Sequence, residues 1–413
     1  MPEYYDALET RDPHARERAL MAALPRQLEH AKSNAPAFAN ILAGVDPRDI
    51  RSRKALAQLP VTRKSELKDL QLAAPPFGGL AATAPGRLAR LFISPGPIYD
   101  PEGVRKDWWR MARPMYAAGI RAGDVVQNCF SYHFTPAASM MEGGALALGC
   151  AVIPAGTGQT EVQVQAMASL KPSAYVGTPS FLKIVLEKAV ETGADVSSVR
   201  RAVVGAEALP PSLRKWLNEH GVPKVQQIYA SADLGNIAYE SEALEGMIVD
   251  EEVVVEILRP GTGDPVAEGE VGEVVVTTLN SDYPLVRFAT GDLSAVLPGI
   301  SPCGRTNMRI RGWMGRADQT MKVKGMFVHP SQVADVVRRH KEILKARLIV
   351  DNPGGQDRMT LHCEVPDGTP AALAQSIAAS LRDVTKLRGE AAFHKPGELP
   401  NDGKVIEDAK KYD

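Results

Sequence analysis

The sequence predicts an α/β protein: a large N-terminal domain of parallel sheets plus a β-barrel-like unit, then a small α+β C-terminal domain. Three observations predict this. From Arg90 to Asp233 short apolar runs alternate with amphipathic segments of helical length; after Gly235 valine-rich runs follow one another with Gly-rich punctuation; beyond Asp318 a smaller α+β pattern begins. Strands separated by helices of this length pair in parallel with helices on both faces, whereas successive Val-rich strands between Gly turns suit an antiparallel unit.

Residues 15–34 place Leu20, Leu24 and Leu28 on one face of a helix that packs on the main body. Pro47 and Pro60 punctuate the next stretch, where the Thr62 hydroxyl can cap a short helix. RLFIS reads as a strand, 106–118 as a helix, DVVQNCF as a strand, 139–148 as a helix and AVIPAG as a strand. VQVQAMASLKP, SFLKIVLEKAVETG and PPSLRKWLNEHG follow as helices, separated by the strands AYVGTP, VRRAVVGAEAL and KVQQIYASAD. MIVDEEVVVEILRPGTG, GEVGEVVVTTL and YPLVRFATGDLSAVLPG supply the β unit. In the last part VHPSQVADVVRRH and PAALAQSIAASLRDVTKL are helices, ARLIVDN and MTLHCEV are strands, and the rest is a polar tail. The domains are placed at 1–315 and 319–413, with a hinge at 316–318.

At 413 residues the chain is too long for one compact core. A formal net charge of -1 gives no electrostatic case for nucleic acid or an anionic membrane. Cys129, Cys150, Cys303 and Cys363 form no C-x-x-C pair, which fits a reducing compartment rather than a disulfide scaffold. MPEYYDALETRD has no basic-then-apolar leader, and no run is apolar for the length of a bilayer span. A cytoplasmic location is expected.

Residues 283–332 concentrate the chemistry. Arg287 and Asp292 share one strand-turn, Gly315, Arg316 and Asp318 form a Gly-Arg-x-Asp turn, and Lys322 and Lys324 precede Gly325. A carboxylate at a strand end can accept from vicinal ribose hydroxyls, and a nearby guanidinium can brace it or a phosphate. The alternative is a hairpin with solvated charges. The run resembles the Arg-Tyr-x-Thr-x-Asp and Gly-Arg-x-Asp signatures of AMP-forming adenylating enzymes. Its flanking text, PLVRFATGDL, PCGRT and VHPSQV, is similar to the phenylacetate-CoA ligase branch of that superfamily. HAKSNAPAF and LPVTRKSEL match the same branch nearer the N-terminus, so the resemblance spans almost the whole chain.

The resemblance implies two half-reactions, attack of a carboxylate on the α-phosphate of ATP and then displacement of AMP by the CoA thiol, and hence ATP, Mg²⁺ and CoA as cofactors. It implies Lys404 as the late catalytic lysine and Asp318 as the pivot of a mobile small domain. It also implies Tyr229 and Ala230, Gly205, Ala206 and Glu207, Asp292 and Arg316 around the nucleotide, and Lys324 and Gly325 along a CoA channel. Asp233 stands where the family has a magnesium-binding glutamate; being one methylene shorter, it could act through water. For the acyl group it points to Tyr132, His133, Phe134, Met140 and Met141, with Thr178, Pro179 and Ser180 at a substrate-side turn. As plain structure, Tyr229 is a strand-end core aromatic, Lys404 a solvated tail lysine, and the Met and aromatic residues core. Only Cys303 remains of the zinc ligands of some relatives, so no structural zinc is expected.

One stretch departs from the pattern. Where the family has Ser-Ser-Gly-Thr-Thr-Gly-Lys-Pro, this chain has SPGPIYDP, with Pro95 and Pro97 in place of backbone donors and Asp100 in place of the lysine. Such a loop is poorly equipped for β- and γ-phosphates, unless Arg105 or Lys106 replaces its cations. The sequence therefore predicts an acid-CoA ligase for an aromatic or arylacetic carboxylate that keeps the AMP site while its ATP handling is altered. Two alternatives stand beside it: a non-catalytic adenylate or CoA-ester binder, and an adenylating enzyme with another acceptor. A homodimer is consistent with family analogy.

Overall fold

The structure is a computed structural model; it describes residues 3–259, 263–317, 321–324, 326–328, 330–353, 356–366, 372–400 and 404–410. The chain divides into two compact units, 1–314 and 315–413.

The first unit is built on a nine-stranded sheet. Its parallel half runs, in spatial order, Ala151–Ile153, Val125–Asn128, Ala174–Gly177, Arg201–Val204 and Lys224–Ser231. Helices Ala137–Leu148, Thr160–Leu170, Pro179–Thr192 and Pro211–Glu219 connect them. Both faces are covered, and the two-residue period of a strand shows it. Ala174, Val176 and Val203 enter one core with Leu24, Leu28 and Phe288, while Tyr175, Ala202 and Val204 enter another with Met167, Leu182 and Leu186. The sheet continues antiparallel through Gly235–Tyr239, Met247–Val249, Arg309–Ile310 and Val296–Leu297. The N-terminal helix Pro13–Asn34 is capped by Asp12, which accepts from the Ala15 amide, and buries Leu20, Leu24 and Leu28. Among the described residues no helix is long and apolar enough to cross a membrane.

The Val-rich segment forms a four-stranded sheet in the order Thr62–Arg63, Phe288–Ser294, Gly272–Thr278, Val253–Leu258. It is antiparallel except at Thr62–Arg63, which runs parallel to Phe288–Ala289. The two valine strands Val253–Leu258 and Gly272–Thr278 are buried along their whole length.

Four expectations are corrected. RLFIS is half of an antiparallel hairpin, Arg90–Ser94 with Ile98–Glu102, and not a member of the parallel set; a five-residue strand carries the same alternation in either sheet type. The helix expected over 106–118 is confined to Ala112–Ala117, because the Asp107 carboxylate takes the Met111 and Ala112 amides and both Asp107 and Arg110 have left-handed backbones. Thr62 is a strand residue rather than a helix cap. MIV, read with the β unit, belongs to the large sheet.

The second unit centres on the antiparallel pair Lys345–Asp351 and Arg358–Glu364, flanked in parallel by Ile406–Asp408 and Glu390–His394. Val336 of helix Pro330–Arg339 and Ile377 and Leu381 of helix Ala372–Thr385 share a core with Leu348 and Leu361. The supposed polar tail thus supplies an edge strand, since only Ile406 needs to be apolar to seat it. A short hairpin, Met321–Val323 with Met326–Val328, precedes them.

Arg287, expected beside a ligand, is instead an internal tie. It is fully buried with a left-handed backbone, its guanidinium bonded to Glu256, to the Gly263 carbonyl and to the Ala57 and Leu59 carbonyls. Arg287→Ala would strand the Glu256 carboxylate in the interior and lower the unfolding free energy by about 3–5 kcal/mol. Denaturant titration reads this as a fall in midpoint at constant slope; a loss below about 1 kcal/mol would refute the role.

Candidate functional site

The carboxyl ends of the parallel strands gather the conspicuous residues of the first unit, the edge where open α/β sheets bind ligands. Gly177 pairs with Val204 and Val204 with Gln227, so the turns after these strands adjoin. Thr178 caps helix Pro179–Thr192 by accepting from the Phe181 amide, with Pro179 in its first turn. Glu207 accepts from the Ser180 amide at 2.6 Å, and its own carbonyl accepts from Gln227 Nε2. Gly205, Ala206 and Glu207 are thereby tied to the Thr178 turn on one side and the Tyr229 strand on the other. A side chain at Gly205 would bring its Cβ to 2.9 Å from Ile228 Cγ1, so the backbone passes at a distance only glycine permits. Ala206 adopts a left-handed backbone, the sign of a turn held by its surroundings.

At Tyr229/Ala230 the antiparallel register with Gly235–Tyr239 slips by one residue, a bulge that re-aims the strand end. The Tyr229 hydroxyl donates to Asp292 Oδ2 at 3.0 Å and lies 3.2 Å from Thr290 Oγ1. Thr290 is fixed in turn, accepting from the Asp292 amide and donating to the Val274 carbonyl. Trp313 Nε1, on a half-exposed ring, donates to Asp292 Oδ1 at 3.1 Å. Tyr229 and Asp292, 63 residues apart, therefore form one polar cluster between two aromatic rings. Thr290 is the threonine of the Arg-Tyr-x-Thr-x-Asp match, though the sequence reading gave it no role; Trp313, on a loop, carries no motif and had no part in it.

Asp233 is the largest departure from expectation. It is 3% exposed, and Lys64 Nζ lies 2.5 Å from its Oδ2. Asp100, from the altered loop, is 0% exposed and accepts from Ser94 Oγ at 2.7 Å. Burial, followed by the nearby Asp233 charge, pushes its pKa up to about 8. Burial works against the charge on Lys64, yet Asp233 outweighs it and holds the ammonium above its ordinary pKa, with Asp100 and Asp292 adding to the effect. The Tyr283 hydroxyl is buried and has no hydrogen-bond partner among the described residues, its pKa raised by burial and by Asp233 and Asp100. A hydrated Mg²⁺ needs about six oxygens in octahedral array. Asp233, covered by an ammonium and a second carboxyl, does not fit that ion, and among the described residues no three His, Cys, Asp or Glu gather around a metal-sized space. Sequence reasoning passed over Lys64, although the LPVTRKSEL match contained it.

The other expected residues are spread more widely. Tyr132 and His133 are exposed and Phe134 is 71% exposed, while Met140 and Met141 are buried in the core on helix Ala137–Leu148. Helix Ala137–Leu148 turns both methionines into the core. Tyr132 instead donates to Glu142 at 2.7 Å. Arg105 is paired with Glu252 on the surface, and Lys106 is exposed. Cys303 lies 3.1 Å from Ser301 Oγ; burial raises its pKa, but hydrogen bonds from Ser241, Ser301 and Arg305 bring it below the ordinary thiol value.

In the second unit Lys404 is exposed just before the edge strand, and its carbonyl accepts from Arg347 Nε. Arg316 is partly buried beside Gly315. Lys324 has a left-handed backbone at the hairpin turn, and its amide donates to Asp357. Asp318 and Gly325 lie outside the described residues.

The Asp100 proton gives a stability signature. The folded chain keeps it from the ordinary value of 3.8 up to about 8, whereas the unfolded chain has released it. Its stabilisation is complete below the lower value and is lost as pH rises through the upper one. Asp100→Asn, which cannot ionise, should remove that slope, so that at pH 9 the variant melts above the wild type by roughly 2–4 °C for each kcal/mol recovered. Parallel slopes between pH 5 and pH 9 would show that Asp100 is ionised in the fold.

The profile of the AMP-binding enzyme family matches residues 106–280. Phenylacetate-coenzyme A ligase of Thermus thermophilus is 31% identical, with 96% of each chain covered. The protein of the same name from Aromatoleum evansii is 30% identical over 82% of this chain and 79% of its own. A crystal structure of 2-hydroxyisobutyryl-CoA ligase in complex with 2-HIB-AMP and CoA superposes with a TM-score of 0.75 over 99% of this chain and 93% of that one; at 23% identity this is a likeness of fold. On the near full-length match at 31% identity, the chain belongs to the phenylacetate-CoA ligase family of AMP-forming adenylating enzymes.

Proposed function

We propose that this protein is a cytoplasmic acid-CoA ligase that joins an aromatic or arylacetic carboxylate to CoA through an acyl-adenylate, with ATP as the source of AMP. The observation that carries this reading is the contact of the Tyr229 hydroxyl with Asp292 at 3.0 Å, at the carboxyl edge of the sheet and beside the Gly205–Glu207 turn. A purine beside the Tyr229 ring, with its ribose hydroxyls on Asp292, suits the order of these groups. In the first half-reaction a carboxylate oxygen attacks the α-phosphorus and the bond to the β-phosphate bridging oxygen breaks, releasing pyrophosphate. In the second the CoA sulfur attacks the acyl carbon, AMP leaves with the bridging oxygen and the thiol proton passes to solvent. Lys404 and Arg316 are assigned to the phosphate, Asp318 to the pivot, Lys324 and Gly325 to the pantetheine, and Thr178, Pro179 and the 132–134 loop to the acyl group. A homodimer remains the assembly suggested by family analogy.

A second reading, a non-catalytic binder of adenylates or CoA esters, is favoured by one observation: Asp100 is turned inward where the family has a phosphate-binding lysine. Pyrophosphate release across a panel of aryl acids separates the readings. CoA-dependent turnover supports the ligase, none supports the binder, and equal turnover without CoA points to another acceptor. Tyr229→Phe, which loses one hydrogen bond to a charged partner worth about 1.5–3 kcal/mol, should weaken AMP at least about tenfold by calorimetry while leaving the melting temperature within a few degrees. An unchanged affinity would remove Tyr229 from the site.

A further inference from the structure

The position of Lys64 supports an assignment that deepens the nucleotide-site reading and rests on it. The ammonium arrives by strand pairing. Thr62 and Arg63 run parallel to Phe288 and Ala289, with the Thr62 amide donating to the Arg287 carbonyl, so the next residue is delivered beside the strand that carries Asp292. There it meets Asp233 Oδ2 at 2.5 Å, while its side chain stays 27% exposed, open on one side.

Behind it the cage is closed. In the hairpin register Phe92 faces Asp100 and Ser94 faces Ile98, which sets Asp100 inward with Ser94 Oγ on its Oδ2. The hairpin is clamped by Gln71, whose amide oxygen accepts from the Tyr99 amide and whose nitrogen donates to the Tyr99 carbonyl, both at 2.8 Å. Asp100 Oδ1 and Asp233 Oδ1 are buried and find no donor among the other described residues. Among the described residues Lys64 brings the positive charge that is bonded to Asp233.

We propose that Lys64 is the cation of this nucleotide site, its ammonium occupying the place on Asp233 that a divalent ion takes in related chemistry, so that the protein holds an adenylate phosphate without a metal. A bound monophosphate on the ribose at Asp292 would lie on the open side of this ammonium. A fixed single charge offers little to a triphosphate, whose β- and γ-oxygens need a divalent counter-ion, but it matches the one negative charge of an acyl-adenylate phosphate.

The test uses Mn²⁺ as a paramagnetic probe on the whole protein, without nucleotide, together with AMP calorimetry. Wild type should bind no Mn²⁺ at Asp233. Lys64→Met, which leaves the acid pair without its ammonium, should create one Mn²⁺ site that vanishes again in Lys64→Met/Asp233→Asn. AMP affinity should be the same in EDTA and in excess Mg²⁺, and should fall about tenfold or more in Lys64→Met. Lys64→Arg, which keeps the charge, should recover most of it; this recovery separates loss of the cation from loss of the fold. A wild-type Mn²⁺ site lost in Asp233→Asn, a Lys64→Met variant that still excludes Mn²⁺, or AMP binding that requires Mg²⁺ would each overturn the assignment. AMP binding to none of the proteins, with the Mn²⁺ results as expected, would instead overturn the nucleotide reading.

Discussion

The Arg287 guanidinium is the constraint on which the site's geometry depends. It reaches the Ala57 and Leu59 carbonyls on one side and Glu256 and the Gly263 carbonyl on the other. A buried guanidinium has five donors to satisfy, and no water is at hand to take any left over. The segment before Thr62 therefore cannot drift from the sheet without stranding several donors at once. That segment leads through Thr62 and Arg63 to Lys64, and the strand leaving Arg287 carries Thr290 and Asp292. One interior ion pair thus sets the distance between the site's cation and its Asp292 carboxylate.

Two acids and one lysine in a dry place form a poor binding site unless their charges are shared out. Two ionised carboxylates close together repel strongly, and burial with the Asp233 charge raises the Asp100 pKa to about 8. The SPGPIYDP stretch is accordingly not a damaged phosphate loop left loose. Its strands are paired over five residues, Gln71 holds the Tyr99 backbone, and its acid accepts from Ser94 in the interior. A loop organised in this way has exchanged phosphate binding for rigidity.

The parallel core was legible because strands buried on both faces and helices of nine to fourteen residues leave different periods in the text, and Leu20, Leu24 and Leu28 stood out for the same reason. The contact of Tyr229 with Asp292 was legible only through motifs, since 63 residues separate them and no local rule joins them. Asp100 was recognisable as wrong for a phosphate, but not as half of an acid pair. Its partners lie 36 residues before it and 133 after it, and strand register, which brings them together, leaves no mark on composition. Arg287 misled for a related reason: an arginine looks the same in a sequence whether it braces a ligand or the interior.

Charge bookkeeping shows what the altered loop implies for chemistry. A divalent ion on Asp233 would leave a net positive charge for the phosphates, and it could depart with pyrophosphate. The Lys64 ammonium on the same carboxylate leaves the pair neutral, and it cannot depart, being covalently part of the chain. Transfer of an acyl group from an adenylate begins with one negative charge on the phosphate and ends with AMP carrying about one more, a change that a tethered cation can accommodate. Formation of the adenylate from ATP must also stabilise a pyrophosphate with three or more negative charges. The electrostatics of the first unit therefore favour the second half-reaction over the first, and any group that makes adenylation proceed here must bring its positive charge from outside the Asp100, Asp233 and Lys64 cluster.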